Sequence, residues 1–280
     1  ALARHAGGEL GMGQELARGA LRKMATELDQ PVTYTMVLGD TRVPLNALLG
    51  QSIALEFLGQ INCIHCDRVT SKSFNQGYCY PCFRRLAQCD SCIMSPEKCH
   101  YEQGTCREPD WGLANCMIDH IVYLANTSGL KVGITRHSQV PTRWMDQGAT
   151  QALPIFRVAS RFQSGLVETL FKGHVADKTN WQAMLKGAAD PADLESERQR
   201  LMGACEPGIA GLQAAHGLQA IAPLEAEETL IEYPVLAYPA KVSSFNFDKT
   251  ARVAGTLQGI KGQYLIFDTG VINLRKFGGY

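Results

Sequence analysis

The sequence predicts an α+β protein of three parts: a cysteine-rich metal-binding region, a central α/β domain, and a small β-rich unit formed by the N- and C-terminal segments. Three observations lead there. Eight of the ten cysteines lie between 63 and 106, a hairpin pattern at 121–136 is followed by helical patterns, and short β-rich runs occur near both ends. With 280 residues, 45% of them apolar, the chain can bury the cores of two or three domains.

Taken in order, residues 1–16 read ALARHAGGELGMGQEL, which lacks the continuous apolar core of a signal peptide and is expected to be a mobile leader. No run of 18 apolar residues is present to span a membrane, so the expected location is the cytoplasm. Residues 17–60 read as an N-terminal β-unit. Val32 to Leu38 alternates apolar and polar side chains before the turn residues Gly39-Asp40, and the apolar stretch Ser52 to Leu58 follows. At the other end, 229–280, Gly259, Gly262 and Gly270 punctuate β-rich runs at Tyr264–Phe267 and Val271–Leu274. Either terminal segment alone has too few strands to be stable, so both are expected to join in one sheet or barrel.

Residues 61–117 hold the clustered cysteines. Cys63-x2-Cys66 and Cys79-x2-Cys82 are separated by twelve residues, the arrangement of a zinc ribbon or knuckle. Four thiolates at about 2.3 Å complete the tetrahedron that Zn²⁺ accepts, and such a closed site is structural. A second zinc is expected from Cys89-x2-Cys92, Cys99 and Cys106, where His100 or Cys116 could replace one ligand. Each set of four thiolates on Zn²⁺ carries about two negative charges. Arg68, Lys72, Arg84 and Arg85 are placed to compensate that charge or, equally, to contact nucleic acid.

In the central domain, 118–187, Ile121–Ala125 and Leu130–Ile134 flank Asn126-Thr127-Ser128-Gly129 and predict a β-hairpin. Pro141 and Gly148 bracket a short helix carrying Arg143. Ser164 is expected to cap a helix from Gly165 to about Ala176, with Leu166, Val167, Leu170, Phe171 and Val175 on its apolar face and Glu168 among its polar residues. Residues 188–228 form an acidic helical segment. Its Cys205 is expected to be a buried small apolar residue.

Twenty-seven basic and 27 acidic residues exclude binding to polyanions by net charge, so contact with DNA or RNA must use a local surface. From Lys131 to Lys172 there are six basic and two acidic residues; from Asp190 to Glu232 there are nine acids and two arginines. The first of these segments is the candidate surface.

The element order over 118–187 resembles the GIY-YIG nuclease domain. Ile121-Val122-Tyr123 is similar to its first motif and Lys131-Val132-Gly133 to its second, while Arg143, Glu168 and Asn180 follow in the family's order. Ile121 stands where the first motif has glycine, and Lys131 where the second has tyrosine. The resemblance implies Mg²⁺- or Mn²⁺-dependent hydrolysis of phosphodiester bonds in DNA or RNA. Glu168 would hold the cation, Arg143 the scissile phosphate, and Tyr123 would accept a proton with help from Lys131; His137 is a further candidate base. Gly133 and Arg136 would bind phosphate, and Asn180 completes the set.

Cys-Ile-His-Cys at 63–66, Tyr-Cys-Tyr-Pro-Cys at 78–82, Val-Gly-Ile-Thr-Arg at 132–136 and Asp-Lys-Thr-Asn-Trp at 177–181 also resemble, over the whole chain, a bacterial family of unknown function (DUF2797). Two further readings compete with a nuclease. One is a catalytically inert, zinc-stabilised nucleic-acid or ribonucleoprotein binding module, and the other a redox-sensing regulator using Cys89 to Cys106.

Overall fold

The computed structural model describes residues 1–4 and 13–280 and is mixed α+β with several sheets. The chain forms two compact units, residues 1–83, 185–187 and 231–280 in the first and 84–184 and 188–230 in the second.

The first unit is built on a six-stranded sheet in which every pairing is antiparallel. Its order is Gly270–Asn273, Tyr264–Phe267, Arg252–Lys261, Ser52–Glu56, Leu2–Arg4 and Glu15–Ala17. The N- and C-terminal runs meet where Ala54 pairs with Ala254. Gln263 reinforces this union from inside the core, accepting from Met24 N at 2.7 Å and donating to Met24 O at 3.1 Å. Leu2–Arg4 and Glu15–Ala17 are strands rather than a mobile leader, because Leu2 has a fully buried side chain and its backbone is paired on both sides. The rest of the predicted leader, 5–12, lies outside the described residues.

A three-stranded sheet, Ala25–Glu27, Thr33–Leu38 and Thr41–Pro44, completes the β-rich part of this unit. The alternation read from Val32 to Leu38 is what a strand with one buried face requires, and Tyr34, Met36 and Leu38 are the buried members.

The second unit has a sheet in the order Leu130–Arg136, His120–Asn126, Gln151–Val158, Ile221–Pro223, with Thr229–Leu230 also paired to Gln151–Val158. The hairpin is present, and Gly129 makes its turn at φ +136°. Helices Arg161–Lys172 and Leu194–His216 bury Val167, Phe171, Leu194, Leu201, Cys205 and Ile209 in one core with Val122, Leu124, Val132 and Phe156 of the sheet. Burying a Val or Phe contributes about 1.5–3 kcal/mol, so this shared core is what fixes the helices on the sheet. The acidic helical segment is thus part of the central unit's core.

The 161–172 helix begins four residues before the predicted start. Ser160 caps it, its Oγ accepting from Gln163 N at 3.3 Å, whereas Ser164 lies inside the helix and its hydroxyl donates to Arg161 O at 2.6 Å. The clustered cysteines do not form one region: Cys63–Cys82 belong to the first unit and Cys89–Cys116 to the second. Among the described residues no helix is long and apolar enough to cross a membrane.

Candidate metal centre and polar cluster

The pairs Ile61–Asn62 and Val69–Thr70 form a two-stranded ribbon whose tight connection carries Cys63 and Cys66. Cys63 N donates to Arg68 O at 2.8 Å and Asp67 N to Cys63 O at 3.0 Å, closing a knuckle in which Asp67 takes φ +61°. Cys79 and Cys82 come from the start of the helix Tyr80–Arg85. The four sulfurs lie within 4.8 Å of one another, with Cys66 and Cys79 at 3.7 Å.

Burial raises the Cys63 thiol, but N–H groups of Cys66, Cys79 and His65 outweigh it and bring it to about 6; burial and the neighbouring thiols push Cys82 up to about 12. Four thiols so crowded cannot all ionise without a cation among them, and a tetrahedral thiophilic dication such as Zn²⁺ satisfies the set. Bound there it would be structural, every coordination position being filled by protein.

Of the second predicted set, Cys92, Cys99 and Cys106 line one small cavity. Cys89 is not among the lining residues, and Cys116, at the end of helix Pro109–Asn115, is. Beside them Asp90 accepts from His100 Nε2 at 3.0 Å and from Arg107 Nε at 3.2 Å.

The second unit also brings together a polar cluster from four parts of its sequence. Tyr123 pairs with Gly133 across the hairpin, and Lys131 with Ala125, so Tyr123, Lys131 and Gly133 share the face opposite Val122, Leu124 and Val132. The helix Thr142–Asp146 presents Arg143, and one turn later Gln147 bridges the group. Its amide nitrogen donates to the Tyr123 hydroxyl at 2.7 Å and its oxygen accepts from Arg143 Nε and Nη2 at 3.3 Å each. Glu168 arrives on the 161–172 helix and accepts from Lys172 Nζ at 3.4 Å. Val132 N donates to Ala176 O at 2.8 Å, which lays the following residue, Asp177, beside the same edge; its carboxylate is 3.2 Å from Lys172 Nζ. Asp177 and Gln147 are members that the sequence reading lacked.

The cluster is charged and largely enclosed. Lys131 is 4% exposed, and burial together with Arg143 lowers its ammonium to about 8 against the pull of Glu168 and Asp177. Burial raises the Glu168 carboxyl above its ordinary range, opposed by Lys172. Tyr123 is fully buried beneath Trp144, ring centroids 5.9 Å apart, and burial pushes its hydroxyl up to about 12 despite Arg143. A phenol so disfavoured as an anion is a poor proton acceptor, whereas Lys131 loses its proton about pH 8 and can accept one above that pH.

Three of the predicted residues have close contacts within the chain. A Cβ on Gly133 would fall 2.6 Å from Tyr123 Cζ and Oη, so this glycine seats the tyrosine ring rather than opening the backbone to a phosphate. Arg136 donates to Asn115 Oδ1 at 2.6 Å. Asn180 is exposed, its Oδ1 accepting from Ala183 N at 3.1 Å as the cap of helix Trp181–Met184 and its N–H donating to Ser128 Oγ at 2.9 Å. His137 is exposed in the turn that follows the hairpin.

No curated protein and no solved structure matches the chain. The family model described as "Protein of unknown function (DUF2797)" matches residues 50–280, from the second strand run of the first unit through both candidate centres to the last residue, and the chain belongs to that family.

Proposed function

We propose that this protein is a zinc-containing nucleic-acid-processing protein whose central unit hydrolyses phosphodiester bonds, an endonuclease of GIY-YIG-like chemistry acting on DNA or RNA. The observation that carries the reading is the convergence of Tyr123, Lys131, Arg143 and Glu168, far apart in sequence, on one largely enclosed cluster. Buried charges of this kind cost stability and concentrate at functional sites.

The carboxylates fit a divalent cation. Glu168 and Asp177 already bracket one positive charge, the Lys172 ammonium at 3.4 and 3.2 Å. Those two side chains would hold Mg²⁺ or Mn²⁺, which when bound supplies positive charge to the phosphoryl oxygens. Arg143, steadied by Gln147, binds the phosphate as a rigid guanidinium. Above about pH 8, where Lys131 has given up its proton, its Nζ accepts one from the attacking water. Tyr123 acts through Gln147 as a positioning residue.

Incubating the zinc-loaded protein with labelled branched DNA, duplex DNA and structured RNA, with Mg²⁺ or Mn²⁺ and with EDTA, tests this. Metal-dependent cleavage that falls about 100-fold or more in Glu168→Ala and Arg143→Ala is the expected result. The inert binding module is favoured by the Lys172–Glu168 pair, which a cation would have to displace. No cleavage by the unaltered protein, with equal binding by all three proteins, would establish that alternative.

A further inference from the structure

We infer that Cys92, Cys99, Cys106 and Cys116 form a second structural zinc centre, and that it anchors the start of the helix that carries Glu168. The four cysteines line one cavity of about 20 Å³, room for a single ion and little else. The backbone is shaped for close packing at Gly112, where a Cβ would stand 3.2 Å from Cys106 Sγ and 3.1 Å from the Tyr101 ring.

Charge compensation points the same way. Arg161 donates its backbone N–H to Cys116 O at 2.8 Å, and its guanidinium donates to the carbonyl of Ile93, the neighbour of Cys92. Its Nε is enclosed and has no hydrogen-bond partner. An enclosed guanidinium facing cysteines is balanced when those cysteines are metal-bound thiolates carrying net negative charge.

The ligand atoms that lie within 4.8 Å of one another here are those of Asp90, Cys92 and His100, and the cysteines surround the cavity beside them. Both ring nitrogens of His100 are already engaged, Nδ1 with Thr105 Oγ1 at 2.8 Å and Nε2 with Asp90, while Asp90 also holds Arg107 and Ser91 N. Those groups suit an outer shell, and the soft thiolates suit Zn²⁺.

The link to the helix is direct packing. A Cβ on Gly165 would be 2.5 Å from Glu97 N and 2.8 Å from Pro96 C, in the turn Pro96–Lys98 that lies between Cys92 and Cys99. Arg161 supplies the second attachment, one turn earlier on the same helix.

Elemental analysis of the purified full chain, prepared with zinc, tests the ligand set without reference to cleavage. Two zinc ions per chain are expected in the unaltered protein, in Cys89→Ser and in His100→Ala, and one in Cys106→Ser and Cys116→Ser. Loss of one zinc in Cys89→Ser or His100→Ala, with two retained in Cys116→Ser, would overturn the assignment, as would a single zinc in the unaltered chain that Cys63→Ser removes. Should the serine variants fail to fold, native alkylation of the unaltered chain decides the matter. Cys99 and Cys106 are half-exposed, so zinc should shield them and a chelator expose them; labelling that ignores the chelator refutes the site. Amide exchange over 161–165 should quicken when this metal is lost, and unchanged exchange would refute the anchoring.

Discussion

Lys131→Met tests whether the enclosed lysine is kept at the expense of stability. Lys131 is 4% exposed and its ammonium is lowered from 10.5 to about 8, with burial the main cause. At about 1.36 kcal/mol per pH unit, that difference makes the protonated lysine unfavourable by about 3 kcal/mol in the folded state relative to the unfolded chain. At pH 7 both states hold the proton and the full cost applies. Between about pH 8 and 10.5 the unfolded chain keeps its proton while the folded one has lost it, so raising the pH stabilises the fold, and above 10.5 the cost is gone.

Methionine has similar length, carries no charge and fills the same space. The expected gain at pH 7 is about 1–3 kcal/mol, reduced from the full figure because Glu168 loses a neighbouring cation. All three tryptophans, Trp111, Trp144 and Trp181, belong to the second unit, so urea unfolding followed by their fluorescence reports the unit that holds Lys131. The variant should have a higher midpoint at pH 7 and a smaller rise between pH 8 and 10.5. A lower midpoint, or an unchanged pH dependence, would refute the reasoning. Under the proposed function the same variant loses cleavage, a trade of activity for stability.

Other substitutions separate architecture from chemistry. Gly133→Ala places a methyl 2.6 Å from the buried Tyr123 ring and should destabilise the second unit by about 1–3 kcal/mol, seen as a lower urea midpoint. Asn180→Ala removes a helix cap and should cost about 0.5–2 kcal/mol. Its cleavage rate should stay close to that of the unaltered protein at a temperature where both are folded; a loss comparable to Glu168→Ala would place Asn180 in the reacting site.

The parts most legible in the sequence are those whose cause is local. Two C-x2-C pairs can meet only around a small object, and Cys63, Cys66, Cys79 and Cys82 do come together. Alternation at Thr33–Leu38 and the Asn-Thr-Ser-Gly turn at 126–129 follow from strand period and turn chemistry. Where two local signals compete, the sequence alone does not rank them. Ser160 and Ser164 are both cap residues by type, and it is Ser160 whose hydroxyl accepts from a backbone N–H, that of Gln163.

Non-local placement was least visible. Asp177 joins Glu168 only because Ala176 pairs alongside the strand 130–136, and nothing in the surrounding residues announces that pairing. Cys116 stands ten residues from Cys106, beyond a helix that returns it to the same cavity. Leu2–Arg4 has no pattern of its own and becomes a strand because Ser52–Glu56 offers it an edge. Gly133 is the instructive reversal: its sequence context suggested an approach for phosphate, whereas the bulk it accommodates is the chain's own tyrosine.

Lys261 is an enclosed lysine outside the charged cluster and so a control for the role proposed for Lys131. It too is fully buried, and burial lowers it to about 8. Its surroundings differ. Its ammonium donates to Gly187 O at 3.2 Å and lies 5.7 and 5.1 Å from the ring centroids of Tyr233 and Tyr238, so carbonyl and π-faces hold it. Lys131 instead shares its enclosure with Arg143, Glu168 and Asp177, whose charges respond to one another and to any anion brought among them. The lowered basicity is common to both, so the discriminating feature is the company of other charges. Lys261→Met should therefore leave cleavage unchanged while Lys131→Met abolishes it. Equal loss in both would mean that the activity tracks general stability, and the charged cluster would lose its claim to be the reacting site.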